Sequence, residues 1–390
     1  MKIVIAGGSI AGLSAALTLD CIGHDVTVCE RSPVPLRGQG GGVAVLRRMM
    51  AFLEQHGHHC RRTISVPTHR RRWIDRDGAL TRDEPEILPF SSWDAVYRSL
   101  CATLPPGRIR YGSAVTGFAQ DAEGVDVHLD GERLRADVLL AADGTGSRLR
   151  ARLFPGYAPS FAGYLAWRGI VDEADFDADA VATLVENMTL HNAPGELFMA
   201  FLIPGLDGSL EPGTRRFNWL WYRNETDPDA LRRHLTDRAG HVHHASIPPG
   251  QLADEAVAML RRLAADRLPA TLSQLVLATR APFVQAIFDA LSPGFPRRPR
   301  RAGRRRGLHG APAYRVRHVE GGARCGVAGR VAARGCTRRG AATGPMVRAA
   351  AHASDVAARE RAAACRVFRP RHAARAMTTV FRTFQRGFRI

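Results

Sequence analysis

Apolar positions near the start of the chain follow first a strand pattern and then a helix pattern. Lys2–Ala6 is a short apolar run that ends in glycines, which predicts a buried parallel strand. Ala- and Leu-rich residues predict a helix over Ile10–Cys21, and the alternation within His24–Glu30 predicts a second parallel strand. A further helix is predicted over Val43–Gln55. The order of strand, helix and strand is typical of an open α/β sheet.

In the middle of the chain, apolar positions recur at every second residue, which is the period of a strand. Arg70–Leu80 is predicted to form a hairpin, because Asp77-Gly78 is a strong turn dipeptide. Arg108–Leu140 is rich in strand patterns, and from Ser160 to about Arg223 apolar and polar residues alternate, which predicts an antiparallel sheet. Other helices are predicted at Ser92–Leu104, Ser147–Phe154, Pro228–Leu235 and Ala253–Asp266. The predicted fold class is therefore α/β, a Rossmann-like domain with an interleaved antiparallel-sheet domain.

Positive charge is concentrated in one part of the chain. Residues 296–390, here called the tail, contain 24 of the 55 basic residues, all of them Arg, and only three of the 37 acidic residues. By subtraction, the body (1–295) holds 31 basic and 34 acidic residues. The formal net charge of +18 therefore belongs to the tail and does not mark the body as a nucleic-acid binder. The tail by itself would attract phosphate without specificity and with strong salt dependence.

Cysteine and histidine occur without a disulfide or metal pattern. The seven Cys residues form no C-x-x-C pair, which favours reduced, structural thiols. The clusters His56–His59 and His241–His244 have no Cys, Asp or Glu at ligand spacing, so structural or exposed histidines are favoured and no metal is expected. The longest apolar runs are shorter than the roughly 18 residues that would suggest a membrane span. Met1 leads straight into the first strand without a signal-peptide layout, so a cytoplasmic protein without membrane association is expected.

One candidate binding motif lies between the first strand and the first helix. Gly7-Gly8-Ser9-Ile10-Ala11-Gly12 precedes the helix, and Glu30 closes the next strand about 20 residues further on. Gly7 permits a tight turn, Gly12 permits close packing, and the amino end of the helix offers free N–H groups to a pyrophosphate. Glu30 is placed to accept hydrogen bonds from an adenosine ribose. The motif does not separate NAD from FAD, and a glycine turn that binds nothing is the alternative.

A second signature follows the apolar run Val138–Ala142, where Asp143-Gly144 precedes Ser147. With this addition the sequence resembles the FAD-dependent aromatic hydroxylases of the p-hydroxybenzoate hydroxylase type, and within them the branch that contains 2,6-dihydroxypyridine 3-hydroxylase. The likeness covers about Met1–Pro293. Its segments are Gly7–Leu13, Glu30-Arg31, Ser92-Trp93-Asp94-Ala95-Val96-Tyr97-Arg98, Asp143-Gly144-x-x-Ser147, Gly163-Tyr164-x-Ala166-Trp167-Arg168-Gly169, Asn218-Trp219-x-Trp221-Tyr222-Arg223 and Pro282–Asp289.

The resemblance implies FAD as the cofactor and NAD(P)H as the reductant. It places the FAD pyrophosphate on the glycine turn, which comprises Gly7, Gly8, Ser9, Ile10, Ala11 and Gly12. Glu30 corresponds to the ribose ligand and Arg31 to its neighbour near the adenosine. Arg98 corresponds to a helix arginine that reaches a flavin phosphate, and Asp143-Gly144 to a pair that touches the pyrophosphate and a nicotinamide cofactor. A surface position for Arg98 and a simple turn at Asp143 are the alternatives.

The implied activity is hydroxylation of a small aromatic or hydroxypyridine-like ring by molecular oxygen, through a flavin hydroperoxide. Trp219 and Trp221 are candidates to line the substrate pocket, with Asn218 and Tyr222 on the other face; a place in the sheet core is an equally good interpretation. Gln285 is a candidate polar contact, and no catalytic base is identified. A non-hydroxylating relative such as a halogenase or reductase is an alternative, and a homodimer is left open.

The resemblance also divides the chain into six segments. The FAD-binding domain is expected to comprise 1–70, 92–158 and 276–295, the substrate domain the hairpin 71–91 and the sheet and helices of 159–275, and the tail 296–390 is expected to be irregular or disordered.

The tail begins where the family has a terminal strand G-R-V-A-L-x-G-D-A-A. Arg304 and Arg305 stand where its Gly and Asp belong. Codons permitted for the residues from Pro299, read one base later, encode R-V-A-L-V-G-D-A-A-F-M-A-R-P-H. A reading frame lost near Phe295-Pro296 is therefore predicted, and with it weak FAD binding. The alternative is an inactive or truncated flavoprotein remnant whose tail binds nucleic acid or anionic surfaces without specificity.

Overall fold

The computed structural model describes residues 1–56, 64–85, 88–121, 123–176, 178–289 and 316–318. All of these residues belong to one compact unit. Apart from residues 316–318, the tail, which is expected to be irregular, lies outside the described residues. So do the replaced motif at Arg304 and Arg305 and most of the cluster His56–His59. Among those that are described, no helix is long and apolar enough to span a bilayer.

The described elements alternate in the order expected of an α/β chain. The strands are β1 (Lys2–Ala6), β2 (Asp25–Cys29), β3 (Gly42–Ala44), β4 (Arg70–Ile74), β5 (Leu80–Pro85), β6 (Phe90–Ser92), β7 (Ile109–Arg110), β8 (Val115–Gln120), β9 (Val125–Leu129), β10 (Arg133–Ala136), β11 (Val138–Ala141), β12 (Ser160–Asp172), β13 (Asn187–Ala193), β14 (Glu196–Ile203), β15 (Arg216–Asn224), β16 (Ser246–Ile247), β17 (Phe283–Asp289) and β18 (Val316–His318). The helices are α1 (Ile10–Cys21), α2 (Arg47–Gln55), α3 (Trp93–Thr103), α4 (Arg148–Leu153), α5 (Ala178–Leu184), α6 (Pro228–His234), α7 (Asp254–Arg267) and α8 (Ala270–Ala278), with a 3₁₀ turn at Glu173–Asp175.

A parallel sheet in the order β18-β11-β1-β2-β7 forms the first layer. Ile3 and Ile5 of β1 pack on α1 and α3. Val4 and Ala6 point to the opposite face, toward the antiparallel sheet β10-β9-β8. Because both faces of β1 are covered, this strand is apolar without interruption. The edge strand β18 comes from the tail and pairs with β11 in parallel.

The second layer is an eight-stranded sheet in the order β16-β17-β12-β15-β14-β13-β4-β5. Its neighbours are antiparallel except for the parallel pair β13 and β4. One face packs on α7 and α8 around Trp167, Trp219 and Trp221, all of which are fully buried. The aromatic residues that alternate along these strands therefore form the core of the second layer.

The predicted fold class is confirmed, and two local predictions need correction. The helix predicted over Val43–Gln55 begins only at Arg47, because Gly42–Ala44 pairs with Phe90–Ser92 as a strand. Pairing with a distant segment has overridden local helix propensity there. Helix α8 carries no strong sequence signal and was not predicted. By contrast, α3 begins as expected, with the Ser92 hydroxyl accepting a hydrogen bond from Ala95 N at 3.0 Å.

Replacing Trp219 by alanine tests the core of the second layer. The indole is fully buried and donates a hydrogen bond from Nε1 to Thr279 Oγ1 at 2.8 Å. Trp219→Ala is expected to lower the free energy of unfolding by about 3–5 kcal/mol, measured by urea denaturation. Leu206→Ala is the control, because Leu206 is exposed and its loss should change stability by less than about 0.5 kcal/mol. Equal effects of the two substitutions would contradict the assignment of Trp219 to the core.

Candidate functional site

The glycine turn between β1 and α1 depends on very close backbone packing. Gly7 adopts a φ of +103°, and a Cβ placed there would lie 2.4 Å from Ala142 O. A Cβ on Gly12 would lie 1.9 Å from Gly7 O. Contacts this short with backbone atoms exclude any side chain, so α1 can approach β1 only because both positions are glycine.

Glu30 lies directly against this turn. Its carboxylate accepts hydrogen bonds from Gly8 N at 2.7 Å and from Ser32 N at 2.8 Å, and the residue is only 6% exposed. Each carboxylate oxygen keeps a further lone pair for a ligand. The glycine turn and Glu30, which the sequence analysis placed in one site, are therefore in contact.

The amino end of α1 is prepared for an anion. Ser9 is the N-cap residue, but its side chain makes no capping hydrogen bond, and the first turn of the helix contains no acidic residue. The first N–H groups of an α-helix have no acceptor within the helix, and its dipole places partial positive charge there. Ile10 and Ala11 belong to this first turn. A pyrophosphate group such as that of FAD fits this donor set.

The Asp143-Gly144 turn lies beside the glycine turn, since β11 and β1 are neighbours in the parallel sheet. A Cβ on Gly7 would lie 3.1 Å from Asp143 Cα. The Asp143 carboxylate accepts from Ser147 Oγ at 2.6 Å and from Leu149 N at 3.3 Å, so it also orders the start of α4. Gly144 has a φ of +82°, which favours glycine. The structure thus brings both turns together at the carboxyl ends of two strands, where α/β sheets bind ligands.

The two predicted arginines lie differently. Arg31 is exposed next to Glu30. Arg98 forms an ion pair with Asp94, from Nε to Oδ2 at 2.9 Å, and donates to the backbone carbonyls of Leu206 and Asp207. Among the described residues, none of these Arg98 contacts reaches the glycine turn. The structure therefore joins Arg98 to the loop before β15.

The two predicted pocket tryptophans lie in the sheet core. Trp219 and Trp221 share that core with Phe198, and Trp219 stacks on Phe198 with ring centroids 5.6 Å apart. Asn218 and Tyr222 alternate with them and point to the opposite face of β15. The core interpretation is therefore the one that the structure shows.

The opposite face of the eight-stranded sheet meets a loop that the sequence analysis did not single out. This loop, residues 38–42, is called the glycine loop below. On one side Gly38 N donates to Asp94 Oδ1 at 2.7 Å and Trp93 N donates to Gly41 O at 2.9 Å. On the other side Gly42 N donates to Asn218 Oδ1 at 2.6 Å. The glycine loop is thus held between α3 and β15.

Arg168 faces this loop, and Gln285 and Tyr222 lie near Arg168 in the same sheet. Arg168 donates from Nη2 to Gly42 O at 3.3 Å, and Gln285 Oε1 lies 3.5 Å from Arg168 Nη1. Burial lowers the pKa of the Arg168 guanidinium and raises the pKa of the Tyr222 hydroxyl. A cleft of about 220 Å³ opens nearby, lined in part by Gly40, Ile170 and Phe283. Gln285 alternates with Val284 and so shares the Phe283 face of β17, where it lies beside Arg168. Its role as a polar contact stays a prediction.

Within the described part of the chain, no three His, Cys, Asp or Glu side chains come together as metal ligands. In the second histidine cluster, His243 Nε2 lies 2.7 Å from Asp237 Oδ2 instead.

Two protein families match parts of the chain. Residues 2–58 match the pyridine nucleotide-disulphide oxidoreductase family, and residues 161–289 match the family described as FAD binding domain-like. The first segment contains the glycine turn and Glu30, and the second contains β12 to β17.

The chain is also similar to known enzymes and structures. It is 32% identical over 299 residues to 2,6-dihydroxypyridine 3-monooxygenase of Paenarthrobacter nicotinovorans, covering 74% of this chain and 72% of that enzyme. The structure of 2,6-dihydroxypyridine-3-hydroxylase from Arthrobacter nicotinovorans superimposes with a TM-score of 0.70 at 29% identity, covering 82% of this chain and 76% of the other. Klebsiella pneumoniae HpxO, solved with FAD and uric acid, superimposes with a TM-score of 0.59 at 22% identity, covering 82% and 72%, and is similar in fold.

Replacing Gly12 by alanine tests the close packing of the glycine turn. The added Cβ would collide with Gly7 O, and a backbone atom cannot turn away. Gly12→Ala is expected to lower the free energy of unfolding by about 3 kcal/mol, measured by urea denaturation without cofactor. Gly146→Ala is the matched control, because a Cβ at Gly146 meets nothing within 4 Å. A Gly12→Ala chain as stable as this control would rule out the proposed backbone contact.

Proposed function

Because the chain belongs to the FAD-dependent monooxygenases related to 2,6-dihydroxypyridine 3-monooxygenase, we propose that it hydroxylates an aromatic or N-heteroaromatic ring of the hydroxypyridine type. The overall reaction joins the ring C–H, O₂, NAD(P)H and a proton to give ring C–OH, NAD(P)⁺ and water. The 32% identity over 74% of the chain is the observation that carries this proposal. FAD, when bound, supplies the redox chemistry, accepting electrons from NAD(P)H and activating oxygen.

The cofactor is proposed to lie along the glycine turn and the Asp143 turn. Ser9, Ile10, Ala11 and Gly12 would offer backbone N–H groups to the pyrophosphate, and the glycines at 7 and 8 would let it approach the backbone. The proposed ribose ligand is Glu30, whose carboxylate is already held by two backbone N–H groups. Arg31 would lie near the adenosine, Asp143 and Gly144 beside the pyrophosphate, and Arg98 near a flavin phosphate.

The protein's own part in catalysis is proposed to be orientation of the ring and exclusion of water. The glycine loop and the cleft side of the eight-stranded sheet would enclose the ring, with Phe283 as an apolar wall and Gln285 as a polar contact. Trp219 and Trp221 would support this sheet from behind, because they lie in the core of its other face. The proposed division of labour gives FAD binding to 1–70, 92–158 and 276–295, and substrate binding to 71–91 and 159–275.

The tail is proposed to limit the activity of the chain as it stands. The similarity to the dihydroxypyridine enzyme covers 74% of the chain, about the size of the body. The excess of Arg and the absence of Lys in residues 296–390 agree with a GC-rich gene read out of frame. A chain that lacks the family's terminal G-D motif would bind FAD weakly.

Ring-dependent oxidation of NAD(P)H tests the proposed reaction. We expect a chain with its frame restored after Phe295, supplied with FAD, to oxidise NAD(P)H faster when 2,6-dihydroxypyridine is present. Under ¹⁸O₂, mass spectrometry should find one labelled oxygen atom in the product. Oxidation of NAD(P)H with FAD bound but without a labelled product would contradict hydroxylation and favour a reductase.

Sequencing of the gene tests the proposal on the tail. A one-base shift near codon 295 should restore a reading that contains the G-D motif. The frame-restored chain should then bind FAD at least about tenfold more tightly than the present chain, measured by flavin fluorescence. The physical reason is that the present chain lacks the backbone contacts of the G-D motif. A tenfold difference in affinity corresponds to about 1.4 kcal/mol. Equal affinities, or an alternate frame without the motif, would contradict the proposed loss of reading frame.

A further inference from the structure

Arg168 is a partly buried cation that has no counter-ion among the described residues. Within that part of the chain its guanidinium makes two long polar contacts, to Gly42 O at 3.3 Å and to Gln285 Oε1 at 3.5 Å. Its Nε has no hydrogen-bond partner, and no carboxylate of the described residues forms an ion pair with it. The ring of Phe283, whose centroid is 5.5 Å from Arg168 Cζ, offsets the charge only in part. Arg215, a buried arginine just before β15, differs in that it pairs with Glu173 at 2.6 Å.

Asn218 adds a second unused donor beside this cation. The residue is fully buried, and its Oδ1 accepts from Gly42 N at 2.6 Å. Its Nδ2 has no hydrogen-bond partner among the residues that the structure describes. A buried amide N–H without an acceptor is costly, and such groups in native proteins commonly mark a place for a ligand or water.

The glycine loop lies directly against both residues. A side-chain atom on Gly41 would lie 2.6 Å from Arg168 Nη2 and 3.0 Å from Asn218 Oδ1. One on Gly42 would lie 2.9 Å from Asn218 Nδ2. Because residues 41 and 42 have no side chains, their backbone can lie directly against these polar groups.

We propose that Arg168 and Asn218 form an oxyanion subsite, which binds the ionised ring hydroxyl of the substrate. This inference rests on the proposed function, because it assigns the substrate of that same reaction to the subsite. Arginine stays protonated at neutral pH and forms short, charge-assisted hydrogen bonds with anionic oxygen. An oxyanion would supply the missing counter-charge, and Asn218 Nδ2 would donate to the same ligand.

The position of the subsite favours the substrate over the cofactor phosphates as its occupant. The donors for a pyrophosphate lie at the amino end of α1, on the other layer of the protein. Arg168 lies instead next to Ile170 and Phe283, which line the cleft of about 220 Å³. A cleft of that volume suits one aromatic ring. Ionisation of a ring hydroxyl also raises the electron density of the ring, which hydroxylation requires.

Two ring compounds that differ in their ability to ionise test the subsite. The probes are 2,6-dihydroxypyridine and 2,6-dimethoxypyridine, in which methylation removes the ionisable hydroxyls. Binding to the full chain with excess FAD is measured anaerobically by titration calorimetry, which needs no turnover. The variants are Arg168→Gln, which removes the charge, and Arg168→Lys, which keeps the charge but loses the planar fork. Arg223→Gln is the matched control, because Arg223 is already paired with Glu196 at 3.1 Å.

We expect the unmodified chain to bind the dihydroxy ring more tightly than the dimethoxy ring. Arg168→Gln should weaken binding of the dihydroxy ring by at least about tenfold and leave that of the dimethoxy ring unchanged. Arg168→Lys should give an intermediate loss, and Arg223→Gln should behave like the unmodified chain. This pattern separates a charge contact from a structural role, because loss of a structural residue would weaken the binding of both rings equally.

Several results would overturn the subsite. One is an equal loss of affinity for both rings in Arg168→Gln, and another is no loss of affinity at all in that variant. A third is weaker FAD binding with unchanged ring binding, which would assign Arg168 to the cofactor. If Arg168→Gln keeps its affinity while the frame-restored chain hydroxylates the ring, only this inference fails. If neither the unmodified chain nor the frame-restored chain binds either ring, the proposed substrate class fails with it.

Discussion

The backbone contact between Gly12 and Gly7 O fixes the geometry of the first layer. Helix α1 can lie this close to β1 only because neither residue carries a side chain. The same turn is in contact with Ala142 and Asp143, so the end of β11 is positioned by it as well. The proposed cofactor site is consequently made mainly of backbone groups. Glu30 is its buried side-chain acceptor and holds the turn through a hydrogen bond from Gly8 N.

A second constraint joins the two layers. The hydrogen bond from Gly42 N to Asn218 Oδ1 connects residues that are 176 positions apart in the sequence. On its other side the glycine loop is bound to the start of α3 through Asp94 and Trp93. A cofactor held by the first layer and a ring held by the second would therefore keep a fixed separation, as oxygen transfer between them demands.

Local patterns in the sequence are sufficient to predict the glycine turn and its neighbouring elements in the first layer, but not to predict which face of a strand is buried in the second layer. The strand, glycine turn, helix and acid of residues 2–30 are set by neighbouring residues, and the structure has them in contact. Strand β15 is different, because a period of two defines two faces without saying which one is the core. The bulk of Trp219 and Trp221 could have favoured the core, where large aromatic rings contribute most. The strand at Gly42–Ala44 was missed because its partner, Phe90–Ser92, is distant in the chain.

The bare backbone of the glycine loop has a consequence for how this enzyme could acquire new substrates. Atoms added at Gly41 or Gly42 would press directly on Arg168, Asn218 or Phe201. Larger residues are therefore disfavoured at these two loop positions. Phe283, on the sheet opposite the loop, is a cleft wall held by no polar contact among the described residues, so substitutions are better tolerated there. Directed evolution of ring specificity should find its accepted mutations on the strands, with the loop kept unchanged.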